Sequence, residues 1–95
     1  MTAKDTVLIG KKFVKKGFTR SKMNCNLYSI FRDGVIIIVE FTLVFKNHWS
    51  ADITYELDLH TTIRFTGHSD TDSFTVDRIL KDAEKVKAVF NFLRL

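Results

Sequence analysis

His68, Asp70 and Asp72 alternate with Ser69 and Thr71, a spacing that can present an imidazole and two carboxylates to one metal ion. A protein metal site usually draws on a second ligand cluster, and no other stretch of this chain has that spacing. Cys25 is the only thiol. Asp70, Asp72 and Ser73 have a plainer use ahead of a helix. There, acids and hydroxyls satisfy free N–H groups and suit the positive end of the helix dipole. No metal ligand set is assigned.

Glu56 and Asp58 alternate with His60 in the run DITYELDLH, so all three fall on one strand face. Paired carboxylates beside an imidazole can move protons, but a solvated strand face has the same composition. No G-x-S-x-G turn, phosphate-cradling glycine loop or Cys/His dyad occurs. With four glycines and no proline, the chain lacks the long shaped loops on which active sites usually sit. The expectation is a protein that is not an enzyme, with no catalytic residues and no cofactor.

Those residues must be positioned by a single domain spanning 1–95, with 45% apolar residues and nine phenylalanines for one core. One cysteine cannot close an intrachain disulfide. The apolar runs Val7–Ile9 and Val35–Val39 are too short for a signal-peptide core or a bilayer span. A cytoplasmic protein without membrane attachment is expected.

The stretch Thr6–Lys16 sorts as a helix. Lys11, Lys12, Lys15 and Lys16 fall in one arc, and Val7, Ile9, Phe13 and Val14 in the other. Gly17 suits the left-handed position that ends a helix, with Phe18 folding back as its apolar partner. Gly10 counts against the helix by about 1 kcal/mol relative to alanine. Residues 19–26 read as a connection. Asp33-Gly34 then separates two β-rich runs, Leu27–Arg32 and Val35–Lys46, as a tight hairpin requires. Asn47-His48 reads as the next turn, with Trp49 beside it. A third strand follows in DITYELDLH, pointing Ile53, Tyr55, Leu57 and Leu59 one way. Residues 61–66 either continue it or return as a fourth strand. GHSDTDS is a loop, and from Thr75 the period is helical. Ile79, Ala83, Val86, Phe90 and Leu93 make one stripe, with Asp77–Lys81 and Arg78–Asp82 four apart for pairing.

The expected fold is therefore α+β. A small twisted antiparallel meander of three to four strands is packed by a basic N-terminal helix and an amphipathic C-terminal helix.

Two features are unusual. First, residues 1–24 carry seven basic groups against one acid, leaving +6, whereas residues 25–95 carry eight against ten, leaving −2. Lys11, Lys12, Lys15, Lys16, Arg20 and Lys22 form a single-signed basic face. Second, the hairpin register puts Phe31, Ile36 and Ile38 on the sheet face that a two-layer domain leaves in water. Either a helix or the Met23 loop covers this patch, or it is a contact surface. Trp49 either caps the core edge or joins the contact as an anchor.

Together these features suggest a small inhibitor or adaptor, by analogy with compact viral and mobile-element proteins that act in the host cytoplasm. The expected partner is an acidic protein or a nucleoprotein complex. A second copy of the chain would fit the apolar patch as a homodimer. The alternative is sequence-non-specific nucleic-acid binding by the basic face, since lysines neutralise phosphates without reading bases.

Overall fold

The computed structural model describes residues 10–45, 48–68 and 75–94, with the side chains of 43–45, 48, 49, 68 and 94 left out of the description. The protein is α+β, a five-stranded antiparallel sheet with two helices. Helix α1 covers residues 10–15 of the described chain. The strands are β1 (Thr19–Arg20), β2 (Leu27–Arg32), β3 (Val35–Phe45), β4 (His48–Glu56) and β5 (Thr62–His68), and α2 spans Val76–Arg94. The sheet order β1-β2-β3-β4-β5 is a plain meander.

Local chemistry sets two of the junctions. Gly17 has φ 102° and ends α1. The Phe18 N–H donates to the Phe13 carbonyl at 3.0 Å, and the Gly17 N–H to that of Val14 at 3.0 Å. This is the paired bonding of a Schellman motif, with the rings of Phe13 and Phe18 edge-on at 4.9 Å as its apolar contact. At the hairpin, Asp33 and Gly34 take φ 53° and 83°, as a type I′ turn demands. The register is the one this turn dictates: Arg32 faces Val35, Phe31 faces Ile36, Ile30 faces Ile37 and Tyr28 faces Val39.

Five strands replace the expected three or four. Thr19–Arg20 lies in the stretch read as a connection, yet it pairs with Tyr28 and Ser29. Its side chains are exposed and polar, so only backbone pairing defines it. Residues 62–68 return as β5, with Thr62 opposite Glu56 and Phe65 opposite Ile53. The turn before it is made by Asp58, whose Oδ1 accepts the His60 N–H at 2.8 Å. The Leu57 N–H bonds the Thr61 carbonyl across it at 3.0 Å. β4 therefore ends at Glu56, four residues before the alternation does, and Leu59 is 96% exposed instead of inward-facing. At the other end β4 begins at His48, which was expected in a turn, and Gly67 and His68 belong to β5 rather than to a loop.

Both helices lie on the same side of the sheet. On that side Tyr28, Ile37, Val39, Phe41, Ala51, Ile53 and Tyr55 are buried beneath Phe13 of α1 and Val76, Ile79 and Ala83 of α2. Phe13 is stacked on Tyr28 at 5.7 Å and edge-on to Phe41 at 5.8 Å. Gly10 permits this approach, because a Cβ there would stand 2.1 Å from the Tyr28 hydroxyl. Tyr28 is itself buried between Phe13 and Phe41 and has nowhere to swing. The glycine that weakens α1 as a helix is the one that lets it dock.

Thr75 caps α2, its Oγ1 accepting the Arg78 N–H at 3.3 Å. Arg78 pairs with Asp82 as its spacing foretells, at 3.2 Å. Asp77 meets Lys16 of α1 at 3.5 Å, an ion pair that runs between helices rather than along α2 to Lys81. The apolar stripe of α2 outruns the sheet. Val76, Ile79 and Ala83 are buried, Val86 and Phe90 are half-buried, and Phe92 and Leu93 are each 75% exposed. Lys87 Nζ bonds the Asp33 carbonyl at the hairpin turn, marking where the sheet stops beneath the helix. The next seven residues continue about 10 Å farther at 1.5 Å per residue.

Tyr55 ties β4 to α2, its hydroxyl donating to the Ile79 carbonyl at 3.0 Å. Burial, and secondarily the Asp82 carboxylate, push its phenol well above the ordinary value. A raised acid pKa means that the fold holds the neutral form. Its contribution is complete below about pH 10, the unfolded phenol value, and is lost as pH climbs above it. The loss should approach ~1.4 kcal/mol per pH unit. Tyr55→Phe should cost roughly 1 kcal/mol at pH 7, for one hydrogen bond. It should then lose less stability than the parent between pH 10 and 11.5. Urea melts of both proteins across that range check this. A parent–variant difference that stays constant would show that the phenol is not held neutral.

Candidate functional site

The basic face is built by α1 and the turn after it. Phe13 points to the sheet. Lys11 and Lys15, two positions to either side, lie about 160° around the helix from it and face away from the sheet. Lys11, Lys12, Lys15 and Lys22 are exposed. None of the four forms an ion pair with another described residue. The other two basic groups have structural attachments. Lys16 faces Asp77 across the helix junction. Arg20 Nε donates to the Cys25 carbonyl at 2.9 Å, bracing the loop between β1 and β2. The free positive charge of the expected set is therefore carried by Lys11, Lys12, Lys15 and Lys22.

The second sheet face is uncovered by either helix. Its rows follow from the register: Phe31–Ile36–Glu56–Thr62 lies nearest the hairpin end, and Ser29–Ile38–Thr54–Arg64 comes next. The loop after β1 folds over the far end only. There Asn24 Nδ2 bonds Glu40 Oε2 at 2.9 Å, and the Ser21 hydroxyl accepts the Met23 and Asn24 N–H groups. Met23 is 99% exposed and does not cover the patch. Ile38 is half-buried, whereas Phe31 is 72% exposed. The Trp49 side chain lies outside the described residues, although its backbone pairs with Leu43 in the sheet.

At the hairpin end the open face continues into a groove of about 460 Å³ lined by Phe31, Ile36, Leu57 and Leu59, with Glu56 and Asp58 at its rim. The lining includes two acids and no base. Sequence reading places Glu56 and Asp58 on one strand face with His60. The β4–β5 turn instead uses the Asp58 carboxylate for the His60 N–H, so no acid–imidazole pair on a shared strand face forms. Leu57 and Leu59 enter the groove through the same turn. The signal for it was Asp58 itself, an Asx-turn former inside the alternating run.

His68 closes β5, and the rest of the alternating set, Asp70 and Asp72, lies outside the described residues. Among the described residues no three His, Cys, Asp or Glu side chains gather as metal ligands. Among them also, no helix is long and apolar enough to cross a membrane. The strongly shifted Tyr55 is engaged with Ile79 inside the core, which makes its shift structural.

No family model matches the chain, and no curated protein or solved structure matches it either.

The basic face and the apolar groove open to opposite sides of the two-layer fold. One side presents α1 lysines standing on the helical layer, and the other an acidic-rimmed apolar sheet face. A compact partner that touches one does not reach the other.

Proposed function

We propose that this protein is a non-catalytic binding module, an inhibitor or adaptor, that engages an acidic protein or nucleoprotein partner through α1. The observation that carries the reading is the set of exposed, single-signed lysines, Lys11, Lys12 and Lys15, on a helix fixed to the sheet by Phe13. A solvating surface mixes signs, as the outer face of α2 does, and has no use for such a segment. The uncovered sheet face with Phe31, Ile36 and Ile38 is a second contact surface on the other side. Trp49, opposite Leu43 in the row after Phe41–Ala51, takes a register position on the other face of the sheet and is not assigned to this surface.

Charges of this kind steer encounter more than they hold a complex. A Lys11→Glu, Lys12→Glu, Lys15→Glu variant spares Lys16 and its contact with Asp77. It should slow association with the partner about tenfold or more and flatten its salt dependence, within the range known for steered complexes. Capture from a lysate with and without nuclease, followed by association kinetics with the captured partner, checks both points. Retention after nuclease and loss in the variant support a protein partner. Loss on nuclease treatment supports the phosphate-binding alternative, for which lysines supply charge without base reading. Capture that is indifferent to the three reversals refutes a role for the basic face.

A further inference from the structure

The hairpin end of the molecule exposes two apolar surfaces that no described helix or strand covers. One is the groove on the open sheet face, formed by Phe31, Ile36, Leu57 and Leu59 with Glu56 and Asp58. The other is the end of α2 that projects past the Asp33-Gly34 turn. There Val89 is 57% exposed and Phe92 and Leu93 are 75% exposed. Val89, Phe92 and Leu93 lie at i, i+3 and i+4 and form one contiguous exposed apolar stripe, of the kind that marks an interaction site.

The two surfaces are complementary in charge as well as in polarity. Residues 85–95, KVKAVFNFLRL, contain no acid; Lys87 is bonded to the Asp33 carbonyl of its own chain, which leaves Lys85 and Arg94 as the charges the helix end can offer. The groove lining contains Glu56 and Asp58 and no base. They also occupy different layers at the same end. α2 lies on the helical side and the groove on the other, so the helix end cannot turn back into the groove of its own chain. A second copy, related by a twofold axis beyond the hairpin end, can bring its helix end there and receive the first copy's in return. The exchange closes after two chains. One helix end of two turns buries too little for a stable interface, which needs about 800 Å² per partner. The reciprocal exchange doubles the area.

We infer that the groove is the docking site for the α2 end of a second copy of this chain, giving a reciprocal homodimer. The inference rests on the reading of the open sheet face as a contact surface and assigns its occupant. It is independent of the basic face on α1.

Sedimentation velocity of the full chain over a concentration series tests it. The wild type should form a dimer of twice 11.0 kDa. A helix-end variant, Phe92→Asp with Leu93→Asp, and a groove variant, Phe31→Lys with Glu56→Lys, should each be monomeric and retain a cooperative melt; the groove variant leaves Asp58 and its turn intact. Mixing the two monomeric variants should restore a dimer, because one intact helix end meets one intact groove while the new aspartates of the other end meet the new lysines of the other groove, so both halves of the exchange form. If the helix-end variant does not fold, a chain ending at residue 91 takes its place. A wild type that remains monomeric at millimolar concentration overturns the proposal, as does a dimer that survives either variant. Failure of the mixture to associate overturns it too, because groove-to-groove or end-to-end pairing cannot be rescued in this way. Species larger than dimers overturn the closed exchange. The Lys11→Glu, Lys12→Glu, Lys15→Glu variant should keep the dimer, so loss of partner capture and loss of the dimer are read separately.

Discussion

Phe13→Ala should destabilise the protein by about 3–5 kcal/mol, the range for truncating a buried phenylalanine. Phe13 is fully buried. Its ring lies between 4.9 and 5.8 Å from those of Phe18, Tyr28 and Phe41, so one truncation removes three aromatic contacts. The cavity has little means of collapsing. Gly10 already brings the α1 backbone against the Tyr28 hydroxyl, and the helix cannot sink further. A domain of this size has a total stability of about 5–15 kcal/mol, so the loss is a large share of it. Urea denaturation at pH 7 measures it directly. A cost below about 1 kcal/mol would mean that α1 is not seated on the sheet, and the lysines would then lack the fixed platform on which the proposed binding depends.

How α1 ends was legible in the sequence because helix termination is local chemistry. Gly17 and Phe18 specify a Schellman motif whatever lies beneath, and Asp33-Gly34 specifies a type I′ turn and thereby the pairing of β2 with β3. Through that register the grouping of Phe31, Ile36 and Ile38 on one sheet face was legible too, but not whether a helix or the Met23 loop covers it. What the residues did not reveal depends on the assembled sheet. Gly10 looked like a defect in a helix, because its reason lies in Tyr28, eighteen positions away. β1 has no apolar pattern, since its two exposed polar residues are held by backbone pairing and by the Arg20 side chain on the Cys25 carbonyl. The alternation of DITYELDLH runs on through a turn that Asp58 makes, so the groove containing Leu57 and Leu59 could not be assembled from it. The basic residues of the candidate site were readable as a set. Their placement opposite the apolar patch was not, because a strand's periodicity states that it has two faces and not which one receives the helices.

Ile79→Ala should cost about 2–5 kcal/mol, whereas Phe92→Ala and Leu93→Ala should each change monomer stability by no more than about 0.5 kcal/mol. All three positions belong to one helix, and the periodicity of α2 assigns Ile79 and Leu93 to the same stripe. The sheet beneath them makes the difference. Ile79 is 1% exposed, and its carbonyl accepts the Tyr55 hydroxyl, so truncation leaves a cavity where β4 and α2 are joined. Phe92 and Leu93 lie beyond the hairpin turn marked by Lys87 and Asp33, and no strand lies under them. Val86 and Phe90 occupy the margin and should fall between these limits. Urea melts at low micromolar concentration, where a weak dimer contributes little, isolate the monomer term. The same melts repeated at high concentration should separate Phe92→Ala from the parent, because a side chain buried only between copies affects stability only when copies meet. A cost at Leu93 equal to that at Ile79, independent of concentration, would place the helix end on the chain's own core and remove both the overhang and the surface it offers to a second copy.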